Sequence, residues 1–360
     1  MTKHTSPALE RAYAKAYAHE RLTRDEGVSL IESGDTHQLC ALAHRRRMHL
    51  HPGPVVTYIV ERNINYTNAC VTYCRFCAFY RKPGHGEVYV LSHEELGRKI
   101  EELLEVGGIQ ILLQGGHHPD LPLSWYEEML RFVKRNYPIH VHGFSAPEIE
   151  HIAKVEAIPV RAVLERLREA GLDTMPGAGG EMLVDRVRKI IAPLKTTTRA
   201  WLDIHRTAHG IGMRTTATMM FGHAETPAER VEHFDSIRTL QDETGGFTAF
   251  ILWTFQPEHT ALYRMEKLES HEYLRTAAVA RLYLDNVANL QASWVTQGPR
   301  VAEISLRCGI NDMGSTMLEE NVVSAAGTTY AMNAAEIEHS IRAVGFTPRR
   351  RNVYYEEVAA

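Results

Sequence analysis

Three of the five cysteines in this 360-residue chain stand within eight positions, in the segment NINYTNACVTYCRFCAFY spanning 63–80. Cys70, Cys74 and Cys77 are separated by three and then two residues. One short loop with that spacing can wrap three corners of a [4Fe–4S] cluster, whose irons usually take four cysteine ligands. Three thiolates therefore leave one iron open, much as a catalytic zinc keeps a position for its substrate. Two plainer readings compete. A structural zinc site wants four ligands, and Cys308 or His85 would have to complete it. Alternatively the three are buried free thiols. The iron–sulfur reading is preferred because the loop directly follows an expected strand. Cys40 and Cys308 stand alone and read as buried or free thiols. An odd, clustered cysteine set argues against a secreted disulfide framework and for a reducing cytosol.

The periodicity says what must position such a loop. Residues 1–54 read as a charged helical collar, with Thr23 and Glu26 forming a capping box. From residue 55, short β-branched segments alternate with amphipathic ones. Expected strands cover 55–60, 109–113, 139–143, 172–175, 214–221, 247–255, 290–296 and a short piece near Ile310. Expected helices cover 92–106, 123–136, 161–170, 198–210, 227–243 and 272–289. Strand–helix alternation implies parallel strands with crossover helices, and eight strands imply an α/β fold of the (β/α)8 TIM type, closed or partly open. The barrel is expected over 55–330, with a C-terminal helix and tail over 331–360 packed on it. Polar segments follow the strands: 114–118, 145–148, 176–181, 222–225, 256–258, Gln297 and 311–312. In a parallel barrel they share the C-terminal mouth, where active sites form, and so favour an enzyme.

Composition narrows the class. Apolar residues make up 44% and charged residues 23%, enough for a large core and against disorder. Lys and Arg total 40 and Asp and Glu 44, giving a net charge of −4 that does not suit a nucleic-acid binder. No apolar run reaches membrane-spanning length, and the first twenty residues lack the apolar core of a secretory signal. A cytoplasmic protein without a membrane or nucleic-acid partner is expected.

The loop, with Phe76 before Cys77, resembles that of the radical S-adenosylmethionine (SAM) enzymes. The resemblance extends to the futalosine-pathway and deazaflavin-synthase branch, and within it to the dehypoxanthine futalosine cyclases. The runs RNINYTN (62–68), QILLQGGHHPD (110–120), TTATMMFGH (215–223), LQDETGGFTAF (240–250) and NDMGSTMLEEN (311–321) carry it. It implies a [4Fe–4S] cluster and SAM as cofactors, with SAM chelated at the open iron. It also implies an external one-electron donor such as flavodoxin or ferredoxin, and a 5′-deoxyadenosyl radical. The implied substrate, dehypoxanthine futalosine, joins a sugar through a chain to a carboxylated aromatic ring. The implied reaction abstracts hydrogen from C4′, closes a spirocycle onto the ring and restores aromaticity, as a step of menaquinone biosynthesis. Neighbouring readings are aminofutalosine synthase, a deazaflavin-synthase subunit, or a non-catalytic iron–sulfur redox module.

Site residues follow from the same resemblance. Cys70, Cys74 and Cys77 are the cluster ligands. Gln114, Gly115 and Gly116, with Ser145 and Glu148, are expected beside SAM, although Glu148 also suits a helix start. His117 stands where the family often has an acid, and is expected at the substrate. Arg186 and Arg188 suit a carboxylate but read more readily as solvated helix residues. Met220 and Gly222 are expected at the cofactor, and His223 as the proton acceptor for rearomatisation, with structural hydrogen bonding its alternative. Trp253, Gln256, Asn311, Asp312 and Glu320 are expected at the substrate.

Overall fold

In the computed structural model, which describes residues 6–358, the first strand is one extended run bent at Val60. Its halves are β1 (Val55–Ile59) and β2 (Glu61–Asn65). The first five residues of the expected collar and the last two of the tail lie outside the described residues. The other strands are β3 (Gln110–Gln114), β4 (His140–Gly143), β5 (Thr215–Phe221), β6 (Phe247–Thr254), β7 (Asn289–Gln291), β8 (Asp312–Ser315) and β9 (Thr347–Arg350).

All pairings between named strands are parallel. β2 pairs with β3 and β3 with β4. Single parallel bridges His142–Thr174 and Met175–Thr215 then carry the ladder across a two-residue fourth strand to β5. From β5 it runs through β6, β7 and β8 back to β1. The expected eight staves are therefore present in order, and the bent first strand closes the ring. Its thinnest points are the fourth strand and the single β7–β8 pair, Gln291–Asp312.

Helices cover the outside because their apolar stripes face the staves. His93–Glu105, for example, buries Leu96, Ile100 and Leu103 and starts with a capping box of Ser92 and Glu95. The N-terminal helices Pro7–Ala18, Arg24–Ser33 and Thr36–Leu50 form the expected collar, with the Thr23–Glu26 capping box in place. They grip the barrel through close contacts: a Cβ on Gly27 would stand 2.7 Å from the Tyr283 ring. Among the described residues no helix is long and apolar enough to cross a membrane.

Several details differ from expectation, among them a first strand that runs past residue 60 to Asn65 and helices at Ala146–Glu156 and Asp185–Ile191 outside the expected ranges. The seventh strand ends at Gln291, and Trp294–Gln297 is a helical turn whose Trp294 indole donates to the Ser315 carbonyl at 3.0 Å. The eighth strand begins at Asp312, so Asn311 and Asp312 enter it rather than follow it. The tail supplies a ninth strand, with β9 pairing to β1 from Val55–Thr347 to Tyr58–Arg350.

The shift of the eighth strand moves Asp312 from the mouth to the far end of the barrel. Its side chain is wholly buried and accepts from Arg351 at 2.7 and 2.9 Å. Asn311 is bound to the Arg281 guanidinium at 2.6 Å and to the Leu290 N–H at 2.9 Å. Both expected substrate residues are thus structural. Removing one partner of a buried ion pair leaves an uncompensated charge. Asp312→Ala is expected to cost about 3–5 kcal/mol, read from urea unfolding.

Candidate active site

β2 hands the chain directly to the cysteine loop, which fills residues 66–91 before the next helix. Side chains tie the loop's outward and returning limbs together. Thr67 donates to the Tyr89 carbonyl at 2.6 Å, and Asn68 bonds the Glu87 carbonyl and Tyr89 N–H at 2.9 and 3.1 Å. Arg81 donates to the carbonyls of Ala78, Phe79 and Tyr80 at 3.1–3.2 Å and closes the exit. Tyr73, between the cysteines, takes a left-handed φ of 49°. The asparagine-rich approach therefore shapes the loop.

The Gly115–Gly116 turn at the end of β3 supports that loop from beneath. A Cβ on Gly116 would stand 2.1 Å from the Ala69 carbonyl oxygen, and one on Gly115 2.5 Å from the Tyr66 ring. Their smallness makes room for the cysteine loop's own backbone. Gly116 N–H donates to the Thr67 carbonyl at 2.9 Å, and Val71 N–H to the His117 carbonyl at 3.1 Å.

A cavity of about 370 Å³ runs through the barrel below the loop. The sulfur end is lined by Cys70, Cys74, Cys77, Phe76 and Tyr80, then by Gln114, Gly115, Gly116, His117, Ser145 and Glu148. Trp253 and Glu320 line it as well. These are the expected site residues that the fold brings together.

Glu148 has both oxygens engaged. One accepts from Tyr66 Oη at 2.7 Å and Gly115 N at 3.0 Å, the other from Ser145 N at 2.7 Å and Oγ at 2.6 Å. It caps its own helix and fixes the glycine turn at once. Burial pushes its carboxyl up, against these bonds. His117 Nδ1 pairs with Thr72 Oγ1 at 2.7 Å, and burial holds the imidazole well below its usual range, so it is neutral at pH 7. Glu320 accepts from the N–H groups of Val322, Val323 and Ser324 at 2.7–2.9 Å and organises the loop above the cavity.

Other expected residues lie elsewhere. Met220 and Gly222 do not line the cavity: Met220 is wholly buried in the core, and Gly222 makes a turn at φ 88° against Leu268. His223 is turned away from it, with Nε2 bonded to the Met220 carbonyl at 3.0 Å and Nδ1 2.9 Å from Glu225. Its structural reading is the one the geometry supports. Gln256 is buried and donates to Thr254 at 3.1 and 3.2 Å. Arg186 is exposed and pairs with Glu229, while Arg188 is buried and donates to the Thr196 carbonyl at 2.8 Å and the Gly179 carbonyl at 3.0 Å. Arg188 is therefore not a solvated residue.

Several lining residues escaped the sequence reading. Lys195 and Glu181 form a buried pair at 2.8 Å on the cavity wall, and Lys195 lies 5.2 Å over the Phe76 ring. Burial lowers the lysine, but Glu181 outweighs it and keeps the ammonium charged. Asn63 and Gln110 line the barrel interior, and their amide oxygens are buried without a partner. Lys195 follows a turn that carries no recognisable motif. Gln110 was legible only as an alternate position of an expected strand, and Asn63 lies past the expected end of the first strand at residue 60.

The thiols can be tested against an iron–sulfur cluster. Among the described residues no group of His, Cys, Asp or Glu converges to hold a single metal ion. A cubane asks for something wider, since each thiolate binds its own iron at a separate corner. The three cysteines share one wall, and Cys74 feels both of the others. Burial pushes Cys74 up to about 12, so it is a neutral thiol unless a metal takes its proton. Three thiols on one cavity wall, close enough to influence one another and beside one fixed cation, fit a cluster, which they would hold through one thiolate each.

Comparison with known proteins agrees with this geometry. The model of the radical SAM superfamily matches residues 64–237, and that of the CofH/MqnC C-terminal region matches 244–359. A cyclic dehypoxanthine futalosine synthase of Halalkalibacterium halodurans is 47% identical over 97% of this chain and 95% of its own. One from Streptomyces coelicolor is 45% identical over 98% of this chain and 88% of its own. The [FeFe]-hydrogenase maturase HydG superposes with a TM-score of 0.76 at 17% identity, over 98% of this chain and 78% of that one, and so shares the fold.

Two outcomes follow. Gly116→Ala drives a methyl group into the Ala69 backbone, so reconstituted protein is expected to lose most of its bound iron and sulfide, read by chemical analysis. For Glu225, burial acts upward, but His223, Arg230 and the Gly222 N–H hold its carboxyl at about 2 against an ordinary 4.5. A depressed carboxyl stabilises the fold above its unfolded pKa and loses that contribution as pH falls toward 2. Glu225→Gln should therefore cost on the order of 3 kcal/mol at pH 7, with the gap to wild type closing between about pH 4.5 and 2, read by unfolding at each pH.

Proposed function

The chain belongs to the radical SAM superfamily, closely related to the cyclic dehypoxanthine futalosine synthases, and we propose that it converts dehypoxanthine futalosine to cyclic dehypoxanthine futalosine on the futalosine route to menaquinone. The observation that carries the reading is the near full-length match to two such synthases, with the cysteine loop standing over one continuous cavity.

Cys70, Cys74 and Cys77 would hold the [4Fe–4S] cluster, and Gln114, Gly115, Gly116 and Ser145 would lie along SAM. Bound there, cluster and SAM supply a 5′-deoxyadenosyl radical by one-electron cleavage of the sulfonium. The chain's own residues do the rest of the work of placement. Glu148 and Tyr66 hold the glycine turn against the loop, so the two cofactor walls keep a fixed spacing. Lys195, anchored by Glu181, places a fixed positive charge beside Cys74. Phe76, Phe79, Trp253 and Trp294 give the cavity apolar walls that exclude water from a reactive carbon centre. Asn63 and Gln110 offer acceptor oxygens to the hydroxyls of a sugar. The orientation of Gln110 is set by Glu61, whose carboxylate takes the amide N–H. His117 is neutral and bonded to Thr72, and serves as a wall of the substrate space. An external one-electron donor of the flavodoxin or ferredoxin kind, and a reducing cytoplasm, complete the reading.

Reduced, cluster-loaded protein given SAM and dehypoxanthine futalosine is expected to form the cyclic product, 5′-deoxyadenosine and methionine, read by liquid chromatography with mass detection. Cys74→Ala should abolish all three. An intact cluster that cleaves SAM yet leaves the substrate uncyclised would overturn the reading.

A further inference from the structure

The floor of the cavity is built by the C-terminal tail. After β9, Arg351 N–H donates to the Tyr58 carbonyl at 2.9 Å, and Arg351, Val353 and Tyr355 turn into the barrel and line the cavity. The turn is pinned at several points. Both Asp312 oxygens hold Arg351, and Asn352 Oδ1 accepts from the N–H groups of Tyr354 and Glu356 at 2.9 and 3.1 Å. Val358 N–H returns to the Arg350 carbonyl at 3.1 Å.

Tyr355 lines this floor with a φ of 65°, a left-handed conformation that a bulky residue keeps only when its surroundings impose it. The Arg351 guanidinium lies 4.1 Å over its ring. Its phenol oxygen accepts from Gln291 Nε2 at 3.0 Å. Among the described residues, no acceptor takes the phenol's proton. On the cavity wall, the phenol thus keeps a proton that no group among the described residues accepts.

Depth decides what can meet it. The tail joins the wall at Tyr58, and β2 reaches the cysteine loop after Asn65. Seven residues of strand, bent at Val60, separate the two levels, about 23 Å at most at strand rise. A cofactor seated against Gly115 and Gly116 occupies the sulfur end, so the floor faces the second ligand. Two acids act on Arg351 at this floor, and both are engaged, Asp312 by Arg351 and Glu61 by Gln110, while Glu356 and Glu357 of the tail pair with Asn352 and Arg349. With the guanidinium spent on Asp312 and the Asn352 carbonyl, the phenol proton is what the floor offers a ligand, and it asks for an acceptor.

We propose that Tyr355 binds the substrate, its phenol donating to the carboxylate on the aromatic ring, so that the C-terminal tail selects which ring the cavity admits. The proposal rests on the function proposed above. The experiment uses anaerobic, cluster-loaded holoenzyme of wild type, Tyr355→Phe and Gln291→Leu, each checked for equal iron and sulfide. Calorimetry measures Kd for SAM, for dehypoxanthine futalosine and for its analogue lacking the ring carboxylate. Tyr355→Phe should raise Kd for the substrate about tenfold or more. It should leave SAM affinity alone and bind the decarboxy analogue as wild type does. Gln291→Leu, which releases the aim of the phenol, should lose affinity in the same direction. Unchanged substrate affinity in Tyr355→Phe overturns the proposal, as does an equal loss for the decarboxy analogue or a loss confined to SAM. Wild-type holoenzyme that binds SAM but not dehypoxanthine futalosine overturns the proposed function itself, and the proposal with it.

Discussion

The site depends first on a missing side chain. Gly116 lets the end of β3 lie against the backbone of Ala69, and so lets the cysteine loop rest on the barrel's own wall. Everything at the sulfur end is referenced to that contact. Thr67 and His117 bond across it, and Glu148 holds the adjacent Gly115 N–H while capping its own helix. A loop of 26 residues, 66–91, would otherwise carry much conformational freedom. Here it is bounded by a stiff strand, a turn that admits no Cβ, and the Arg81 clamp across its exit. Thiolates that must meet three corners of one cluster need that degree of fixed placement.

The far end is closed by different physics. At the sulfur end backbone packs on backbone, whereas at the floor a wholly buried ion pair, Asp312 and Arg351, ties a tail strand to the eighth stave. Such a pair contributes little net stability relative to a well-packed apolar core, but it tolerates few alternative arrangements. Its effect is specificity of register. β9 can slide along β1 only by pulling a guanidinium away from the one carboxylate that matches it.

Legibility in the sequence followed the range of the interactions. The eight staves could be read because each is a local run of β-branched residues between amphipathic helices, and parallel connection is nearly forced by that alternation. The cysteine loop could be read because its three cysteines are adjacent in the chain. Asp312 was misplaced because two residues of uncertainty at a strand start exchange the top of a barrel for its bottom. His223 was misplaced for a related reason. Following a strand puts a residue at the mouth, but which way it turns depends on Glu225, Arg230 and the Met220 carbonyl. β9 and Tyr355 were invisible as site elements because their partners, Tyr58 and Gln291, lie 292 and 64 residues away.

The interior of the barrel is therefore neither a filled core nor a uniform pocket. Inward positions of β2 and β3 read Glu61, Asn63, Asn65 and Gln110, Leu112, Gln114, so five of the six are polar. Buried amides are costly unless hydrogen-bonded, and here Asn63 and Gln110 each keep an oxygen without a partner. Packing alone would have replaced them with valine or isoleucine, as in barrels whose interior layers are filled. A wall that keeps unmet acceptors at mid-depth and an unspent donor at its floor is arranged for a long polar ligand lying along the barrel axis. A sugar joined through a chain to a carboxylated ring has that shape and that order of groups.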